Sequence, residues 1–293
     1  MIKIFEVFVK KAMRRILFLW IYIVFLIFVS LKDNLYALEI IVSNSALEKI
    51  VREIVIEHKI YQLQSEKEDF HFYEPTLYQW QKIETADLVI IVGTETWAKK
   101  VYDLRKNKVV LSLAKGKMRF SDPHLWFDLE RVKILIKDLA DYLSKKDPSR
   151  SKLYQKRVKD FLKSLEKIQK DYKDLKRCKY KEIYILGHPV FGYLLKDSGI
   201  KQITLLKSYY KEGEPSIKVL TEIFKRLKTH ENKIVFLIDP EFERYKNFFE
   251  KKGIKVIKLW SGGTYYMPGS YIELLKYNLE NIKKALRCEI KGD

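Results

Sequence analysis

The sequence PSRSKLYQKRVKDFLKSLEKIQKDYKDLKR, residues 148–177, has the periodicity of one long amphipathic helix. Its apolar side chains form a single stripe, and Lys, Arg, Asp and Glu occupy the remaining positions. The stripe consists of Leu153, Val158, Phe161, Leu165, Ile168, Tyr172 and Leu175. A helix of this length spans about 45 Å, which is longer than most single domains need. The stretch therefore predicts a stiff connecting helix that begins at Asp147-Pro148 and lies across two lobes.

Short β-rich runs alternate with helical patterns on both sides of this helix, which predicts an α/β protein with two Rossmann-like lobes and parallel sheets. Before the helix, the predicted strands are LEIIVSN (38–44), ADLVIIVG (86–93) and KVVLSLA (108–114), with one helix over 46–59 and another that Asp128 caps. After it, the strands are EIYILGHP (182–189), KQITLLK (201–207), KIVFLIDP (233–240) and KVIKLW (255–260), with helices over 191–198, 216–228, 241–252 and 270–286. The predicted boundaries are 38–146 for the first lobe, 147–178 for the connecting helix and 179–293 for the second lobe.

The first 37 residues have the form of a signal peptide. Lys10, Lys11, Arg14 and Arg15 precede the uncharged run ILFLWIYIVFLIFVSL (16–31), and a polar stretch then ends at Ala37. The run is also nearly long enough for a short membrane anchor, so both interpretations stay open. With either a signal peptide or an anchor, we expect the part of the chain after residue 37 to be exported. No cysteine lies in this region that could carry a lipid.

The chain is basic, with a formal net charge of +19 over 293 residues. Residues 1–37 carry six basic and two acidic side chains, so the body has 51 minus 36, or +15. Lys and Glu are interleaved along helical segments, which is typical of solvated helix faces, and no zinc-finger or RNA-binding signature accompanies them. We therefore expect no nucleic-acid partner.

The two cysteines, Cys178 and Cys288, are too few and too far apart for a cysteine metal knuckle. In an exported protein they could form a disulfide, or they could remain two unpaired thiols. The sequence leaves both alternatives open.

Three of the five histidines lie in loops or at strand ends: His71 in FHFYEPT, His124 in DPHLWF and His188 in ILGHPVFGY. Open α/β sheets bind ligands outside the carboxyl ends of their strands, so two lobes that face each other would bring such histidines into one cleft. Three neutral imidazoles there would suit a divalent metal ion. Each histidine could also be an ordinary hydrogen-bonding residue, which is how we interpret His58 and His230.

The motifs around these histidines resemble those of the solute-binding proteins of zinc and manganese ABC importers. HFYEPT is similar to the first ligand motif of that family, ADLVIIVGTETW to its strand and loop, and DPHLWFD to its second ligand motif. HPVFGYLLKDSGIKQI, EPSIKVLTEIFKRLK and YIELLKYNLENIKKAL resemble later segments in the same order. The resemblance covers nearly the whole chain after the leader. It implies two lobes joined by a rigid backbone helix, with a metal held between them.

The resemblance implies that His71 and His124 bind the metal from the first lobe and His188 from the second. Many family members supply an Asp after the last strand as fourth ligand, but KVIKLWSGG has no acid there, so water or Asp239 could take that position. Asp122 could orient an imidazole or simply form a turn. The expected cargo is a divalent cation, with zinc first and manganese second. The expected partner is an ABC permease in the inner membrane, served by a periplasmic monomer.

Two other functions remain possible for this pattern. Three histidines with an open position also describe a catalytic zinc site, but nothing near the three motifs resembles His-Glu-x-x-His or another general base. We therefore expect no enzyme activity. An adhesin or structural surface protein could keep the same fold without transport.

Overall fold

The computed structural model describes residues 13–24, 37–65, 68–115, 120–209, 215–263 and 267–288, and it confirms two α/β lobes with parallel sheets. The sheet of the first lobe has the strand order β2-β1-β3-β4. Its strands are β1 (Glu39–Val42), β2 (Lys59–Gln62), β3 (Leu88–Ile91) and β4 (Val110–Ser112). After helix α1 at 13–24, the helices of this part are α2 (Ser45–Arg52), α3 (Leu77–Thr85), α4 (Ala98–Leu104) and α5 (Leu129–Lys146).

The second lobe repeats this arrangement with the strand order β6-β5-β7-β8. Its strands are β5 (Glu182–Leu186), β6 (Lys201–Thr204), β7 (Ile234–Leu237) and β8 (Lys255–Lys258). Its helices are α7 (Gly192–Leu195), α8 (Ile217–Thr229), α9 (Lys246–Lys251) and α10 (Tyr271–Leu286). In both lobes the carboxyl ends of parallel strands lie on one edge, where the connecting loops can hold a ligand.

Apart from Glu39 and Glu182, which begin β1 and β5, the central strands are apolar because both faces of each sheet are covered. In β1, Ile40 and Val42 face a cluster shared by both lobes, whereas Ile41 faces a separate cluster under α3 and α4. This alternation follows from the two-residue period of a strand.

The long connecting helix is confirmed. Helix α6 (Ser151–Lys173) is preceded by the 3₁₀ turn Pro148–Arg150 and followed by the 3₁₀ turn Asp174–Arg177. One residue of the predicted stripe is wrong, because Leu153 is 41% exposed and Tyr154 is buried instead. From Tyr154 onward the buried residues recur every three or four positions, as expected for one face of a helix. Leu153 lies five residues before Val158 and is therefore not on this face.

The predicted helix over 46–59 is too long. Helix α2 ends at Arg52, and Lys59–Gln62 forms the edge strand β2, which the sequence did not indicate. His58 therefore precedes a strand instead of lying in a helix. The prediction for 241–252 is partly wrong, because Pro240–Tyr245 is a 3₁₀ helix and only Lys246–Lys251 is α-helical. Asp128 occupies the N-cap position of α5, but its side chain makes no capping hydrogen bond and instead pairs with Arg131 at 3.3 Å.

The two lobes share one hydrophobic core. A single cluster of buried side chains includes strands of both sheets, the inner faces of α5 and α6, and most of α10. Helix α10 belongs to the second lobe by sequence, yet it packs against α6 and α2. Tyr172 donates a hydrogen bond to the Leu275 carbonyl at 3.1 Å, and Tyr271 donates one to the Trp126 carbonyl at 2.5 Å. Separating the lobes would therefore expose buried apolar surface.

The cysteines form a disulfide, which settles the alternative that the sequence left open. Cys178 and Cys288 are bonded across a separation of 110 residues. Cys178 follows the long helix and Cys288 follows α10. In the chain-entropy model, closing a loop of this size stabilises the folded state by up to about 4.7 kcal/mol.

The predicted leader, residues 1–37, lies largely outside the described residues. Only residues 13–24, which are helical and exposed, and Ala37 are described there. Within the described part of the chain, none of the helices combines the length and apolar character needed to cross a membrane.

We predict that the lobes keep their relative position when metal is removed, because a shared core and a helix across both lobes resist hinge closure. X-ray scattering curves of the protein with chelator and with one equivalent of zinc should superimpose. A domain rotation large enough to change the curve at low angle would contradict this prediction.

Candidate metal centre

The three predicted histidines lie together between the lobes. His71 is in the loop between β2 and α3, His124 directly precedes the 3₁₀ turn Leu125–Phe127, and His188 follows β5. The Nε2 atoms of His124 and His188 are 3.1 Å apart, and those of His71 and His188 are 3.4 Å apart. One potential ligand atom of each ring lies within 4.8 Å of the other two. Among the described residues, these three form the only group of at least three His, Cys, Asp or Glu side chains close enough to share a metal ion.

The turn before α5 holds His124 rigidly. Asp122 Oδ1 accepts hydrogen bonds from the backbone N–H of His124 at 3.0 Å and from its Nδ1 at 2.7 Å. The hydroxyl of Thr94 donates to the Pro123 carbonyl at 3.2 Å, and that of Tyr193 donates to the Asp122 carbonyl at 3.0 Å. The turn is thus fixed from both lobes.

His188 is held in the same way by Asp239, which lies just after the neighbouring strand β7. Asp239 Oδ2 accepts hydrogen bonds from the backbone N–H of His188 at 3.0 Å and from its Nδ1 at 2.7 Å. Asp239 is fully buried. It does not belong to the group that could share a metal ion, although the sequence made it an alternative fourth ligand.

These contacts decide which ring nitrogen carries the hydrogen. In each case one carboxylate oxygen accepts the backbone N–H and also lies 2.7 Å from Nδ1, so we assign Nδ1 of His124 and of His188 as the nitrogen that donates. In each neutral ring, Nε2 then keeps its lone pair. Two lone pairs 3.1 Å apart repel each other unless a positive charge lies between them. The geometry therefore favours a cation at this point.

His71 is the most accessible of the three. Its ring is partly exposed, whereas His124 and His188 are each 2% exposed. The ring lies edge-on to the other two, with centroids 5.2 Å from each. Burial lowers the pKa of the His124 imidazole below its ordinary value, and the hydrogen bond to Asp122 only partly opposes this effect. Burial therefore favours the neutral form of His124, which is the form that coordinates a metal.

Glu95 is a buried carboxylate that we did not predict from the sequence, and it stabilises the loop after β3. Glu95 accepts hydrogen bonds from the backbone N–H groups of Val92 at 2.9 Å and Gly93 at 2.6 Å. Burial raises the pKa of its carboxyl group, while hydrogen bonds from the backbone and from Ser43 oppose the shift. Glu95 thus fixes the loop after β3, which also carries Thr94. An acid within VGTETW, directly after an apolar strand, was the available signal.

The remaining histidines lie away from this centre. His58 Nε2 is 3.0 Å from the Tyr154 hydroxyl, and its Nδ1 accepts a long hydrogen bond from the Leu38 N–H at 3.4 Å. His230 follows α8 and stacks on Tyr180 with a centroid distance of 4.2 Å. Both have the structural contacts expected of them.

Comparison with known proteins identifies the family. Residues 40–285 match the model of the family described as ZnuA, zinc-uptake complex component A periplasmic. The chain belongs to this family.

Its relatives differ in the metal that they are named for. The manganese ABC transporter substrate-binding lipoprotein PsaA of Streptococcus mitis is 25% identical over 85% of this chain and 89% of its own length. The high-affinity zinc uptake system protein ZnuA of Bacillus subtilis is 25% identical over 56% of this chain and 53% of its own length. The family is thus one of metal-binding transport components and not of enzymes. The metallohydrolase and adhesin alternatives are not favoured.

Solved structures agree on the fold. The AdcAII protein of Streptococcus pneumoniae has a TM-score of 0.67 at 25% identity and is aligned over 85% of this chain and 99% of its own. Zn(II)-bound AdcA of the same species has a TM-score of 0.69 at 23% identity, over 86% of this chain and 58% of its own.

The loop after β8, where many family members have the fourth ligand, is occupied by other contacts here. Trp126 Nε1 donates to the Ser261 carbonyl at 3.0 Å, and the Ser45 hydroxyl donates to the Gly262 carbonyl at 2.9 Å. A Cβ atom on Gly262 would lie 2.0 Å from Trp126 Nε1. No side chain fits at position 262 in this conformation, so the loop cannot place a carboxylate there.

We predict that Gly262→Ala lowers the free energy of unfolding by about 1–3 kcal/mol, because φ is +101° and the new methyl group would overlap the Trp126 indole. Gly253→Ala is the matched control, since its φ is +71° but no atom lies within 4 Å of the added Cβ. Urea unfolding should show the larger loss for Gly262→Ala. Equal losses would mean that the Trp126 contact is unimportant.

Proposed function

We propose that this protein is an extracytoplasmic carrier that captures one divalent cation between its lobes and delivers it to an ABC permease. His71 and His124 bind the cation from the first lobe, and His188 binds it from the second. The cargo is zinc in preference to manganese. Membership of the zinc-uptake family supports the transport role, and the converging imidazoles support the choice of ligands.

The spacing of the Nε2 atoms carries this proposal. Tetrahedral zinc with Zn–N bonds of about 2.0–2.1 Å places two ligand nitrogens about 3.3–3.4 Å apart. The observed separations are 3.1 and 3.4 Å. Two of the three rings are oriented by carboxylates on Nδ1, so their lone pairs face a common point. A zinc ion at that point would replace lone-pair repulsion with coordination.

The chemistry of the donors favours zinc. Imidazole nitrogen suits zinc, whereas manganese prefers carboxylate and carbonyl oxygen. Asp239, which the sequence offered as an oxygen ligand, has its Oδ2 engaged by His188. The Irving–Williams order also places zinc above manganese at such a site.

A water molecule takes the fourth coordination position in this proposal. The loop after β8 has no room for a side chain at Gly262, and Asp239 lies behind His188. Three protein ligands and one exchangeable ligand hold a metal without enclosing it. This arrangement suits a carrier that must release its cargo.

The partner and the location follow from the same role. The permease lies in the inner membrane, and the carrier acts as a monomer in the periplasm or on the outer side of the membrane. The segment 1–37 exports the chain and either is cleaved or stays as an anchor. No nucleic acid takes part.

We predict that zinc raises the unfolding temperature of the wild-type protein, because it binds the folded state preferentially. At a free zinc concentration of 100 times the Kd, the stabilisation is about 2.7 kcal/mol. His124→Ala should lose most of this gain. His230→Ala is the matched control and should keep it, since His230 lies outside the cluster. Equal gains for His124→Ala and wild type would refute the ligand assignment.

We predict that equimolar manganese leaves most of the zinc in place, because all three protein donors are nitrogens. Zinc-loaded protein is mixed with one equivalent of manganese, and released zinc is measured with a chromogenic chelator of known affinity. Near-complete displacement would show that the site prefers manganese.

A further inference from the structure

Two buried carboxylates stand behind the candidate ligands in matching positions. Asp122 and Asp239 each use one oxygen to accept both the backbone N–H and the Nδ1–H of a histidine, with distances of 3.0 and 2.7 Å in both cases. Asp122 precedes its histidine by two residues in the first lobe. Asp239 follows β7 by two residues and lies 51 residues after His188. Two unrelated chain paths thus produce the same contact, which points to a common requirement.

Each carboxylate rests against a glycine of the segment GHPVFG, residues 187–192. A Cβ on Gly187 would lie 2.6 Å from Asp239 Oδ2, and one on Gly192 would lie 2.6 Å from Asp122 Oδ2. Real Cβ atoms do not approach so closely, so any larger residue would displace the carboxylate. Gly192 belongs to the second lobe and Asp122 to the first. Asp122 therefore has this contact with Gly192 only while the two lobes are packed together.

We propose that Asp122 and Asp239 are positioning residues that orient the metal-binding histidines, and that Asp239 is not itself a ligand. The carboxylate of Asp122 packs against Gly192, and that of Asp239 packs against Gly187. This inference rests on the proposed metal-binding function and deepens it. Each aspartate fixes its histidine as an Nε2 donor and limits rotation of the ring. Carboxylates behind ligating imidazoles also make the ring a stronger donor.

Substitutions of Asp239 separate orientation from charge. Asp239→Ala removes both, while Asp239→Asn keeps an oxygen that can accept the two N–H groups but removes the charge. We expect zinc affinity, measured by competition with a chromogenic chelator, to fall about 10–100-fold for Asp239→Ala. Asp239→Asn should lie between Asp239→Ala and wild type. The visible spectrum of bound Co²⁺ should keep its tetrahedral bands in Asp239→Asn and weaken or shift in Asp239→Ala.

Asp147→Asn is the matched control for these variants. Asp147 is also a buried aspartate, but it is hydrogen-bonded to Tyr154, Ser149 and Arg150 and makes no contact with His71, His124 or His188. Its substitution should lower stability and leave zinc affinity within twofold of wild type. A similar loss of affinity for Asp147→Asn would mean that general destabilisation, and not positioning, explains the Asp239 results.

Substitution of the glycine that contacts Asp122 tests the proposal without removing any polar side chain. Gly192→Ala should reduce zinc affinity about tenfold, because the new methyl group displaces Asp122 and frees the His124 ring. Gly263→Ala is its control, since the added Cβ has only an ordinary contact with Gln64 at 3.8 Å. Comparison of Gly192→Ala with Gly263→Ala also tests the positioning role if the Asp239→Ala variant does not fold.

The outcomes distinguish this inference from the proposed function. Wild-type protein that binds no zinc would overturn the function itself. Zinc binding by the wild type together with unchanged affinity in Asp239→Ala and Gly192→Ala would overturn only the positioning role. Loss of one tetrahedral Co²⁺ ligand in both Asp239→Asn and Asp239→Ala would make Asp239 a ligand, and this result would also overturn the inference.

Discussion

The distance between two imidazoles on different lobes is the constraint on which the rest of the structure depends. His124 Nε2 and His188 Nε2 are 3.1 Å apart, and each ring is fixed to its own lobe by an aspartate. A metal site tolerates deviations of only about 0.2 Å in its bond lengths. Any independent movement of the lobes would exceed this tolerance. The lobes must therefore be joined more firmly than two domains on a flexible linker.

The shared core meets this demand. Each sheet has its own apolar cluster on the outer face, but the inner faces merge into one cluster with α5, α6 and α10. Polar contacts add direction to this packing. The indole of Trp126 bonds to the Ser261 carbonyl, and the Ser45 hydroxyl bonds to the Gly262 carbonyl. These bonds cross between the lobes next to the histidines, where a small displacement would matter most.

The same contacts explain how the candidate site differs from the pattern of many relatives. The loop after β8 secures the lobes through its two carbonyl groups, and its glycine lies against the Trp126 indole. A carboxylate side chain has no room at position 262 in this conformation. In the proposed arrangement, Asp122 and Asp239 stand behind the histidines and orient their rings. Orientation and coordination are thus supplied by different residues, and one coordination position stays open for a small exchangeable ligand.

The pattern of the sequence was sufficient for the features that depend on local interactions. A stripe at three- and four-residue spacing identifies α6, and apolar runs identify strands such as β3 and β5, because their periodicity reflects burial directly. The edge strand β2 was missed because its side chains are mostly only half-buried and KIYQ has no apolar run. The motifs around His71, His124 and His188 located the candidate ligands through their likeness to a family and their place at strand ends.

Only the tertiary structure decided which distant groups meet. It shows that Cys178 is bonded to Cys288 and that Asp239 contacts His188. It also shows that Asp122 packs against Gly192 of the other lobe. No periodicity encodes such contacts, because they join residues that are tens of positions apart and depend on how two sheets pack on one helix. The sequence by itself determined the elements and the chemical groups of the site. The packing of the lobes decided which of those groups converge at the candidate site and which stand behind them, because that choice depends on distances of a few tenths of an ångström.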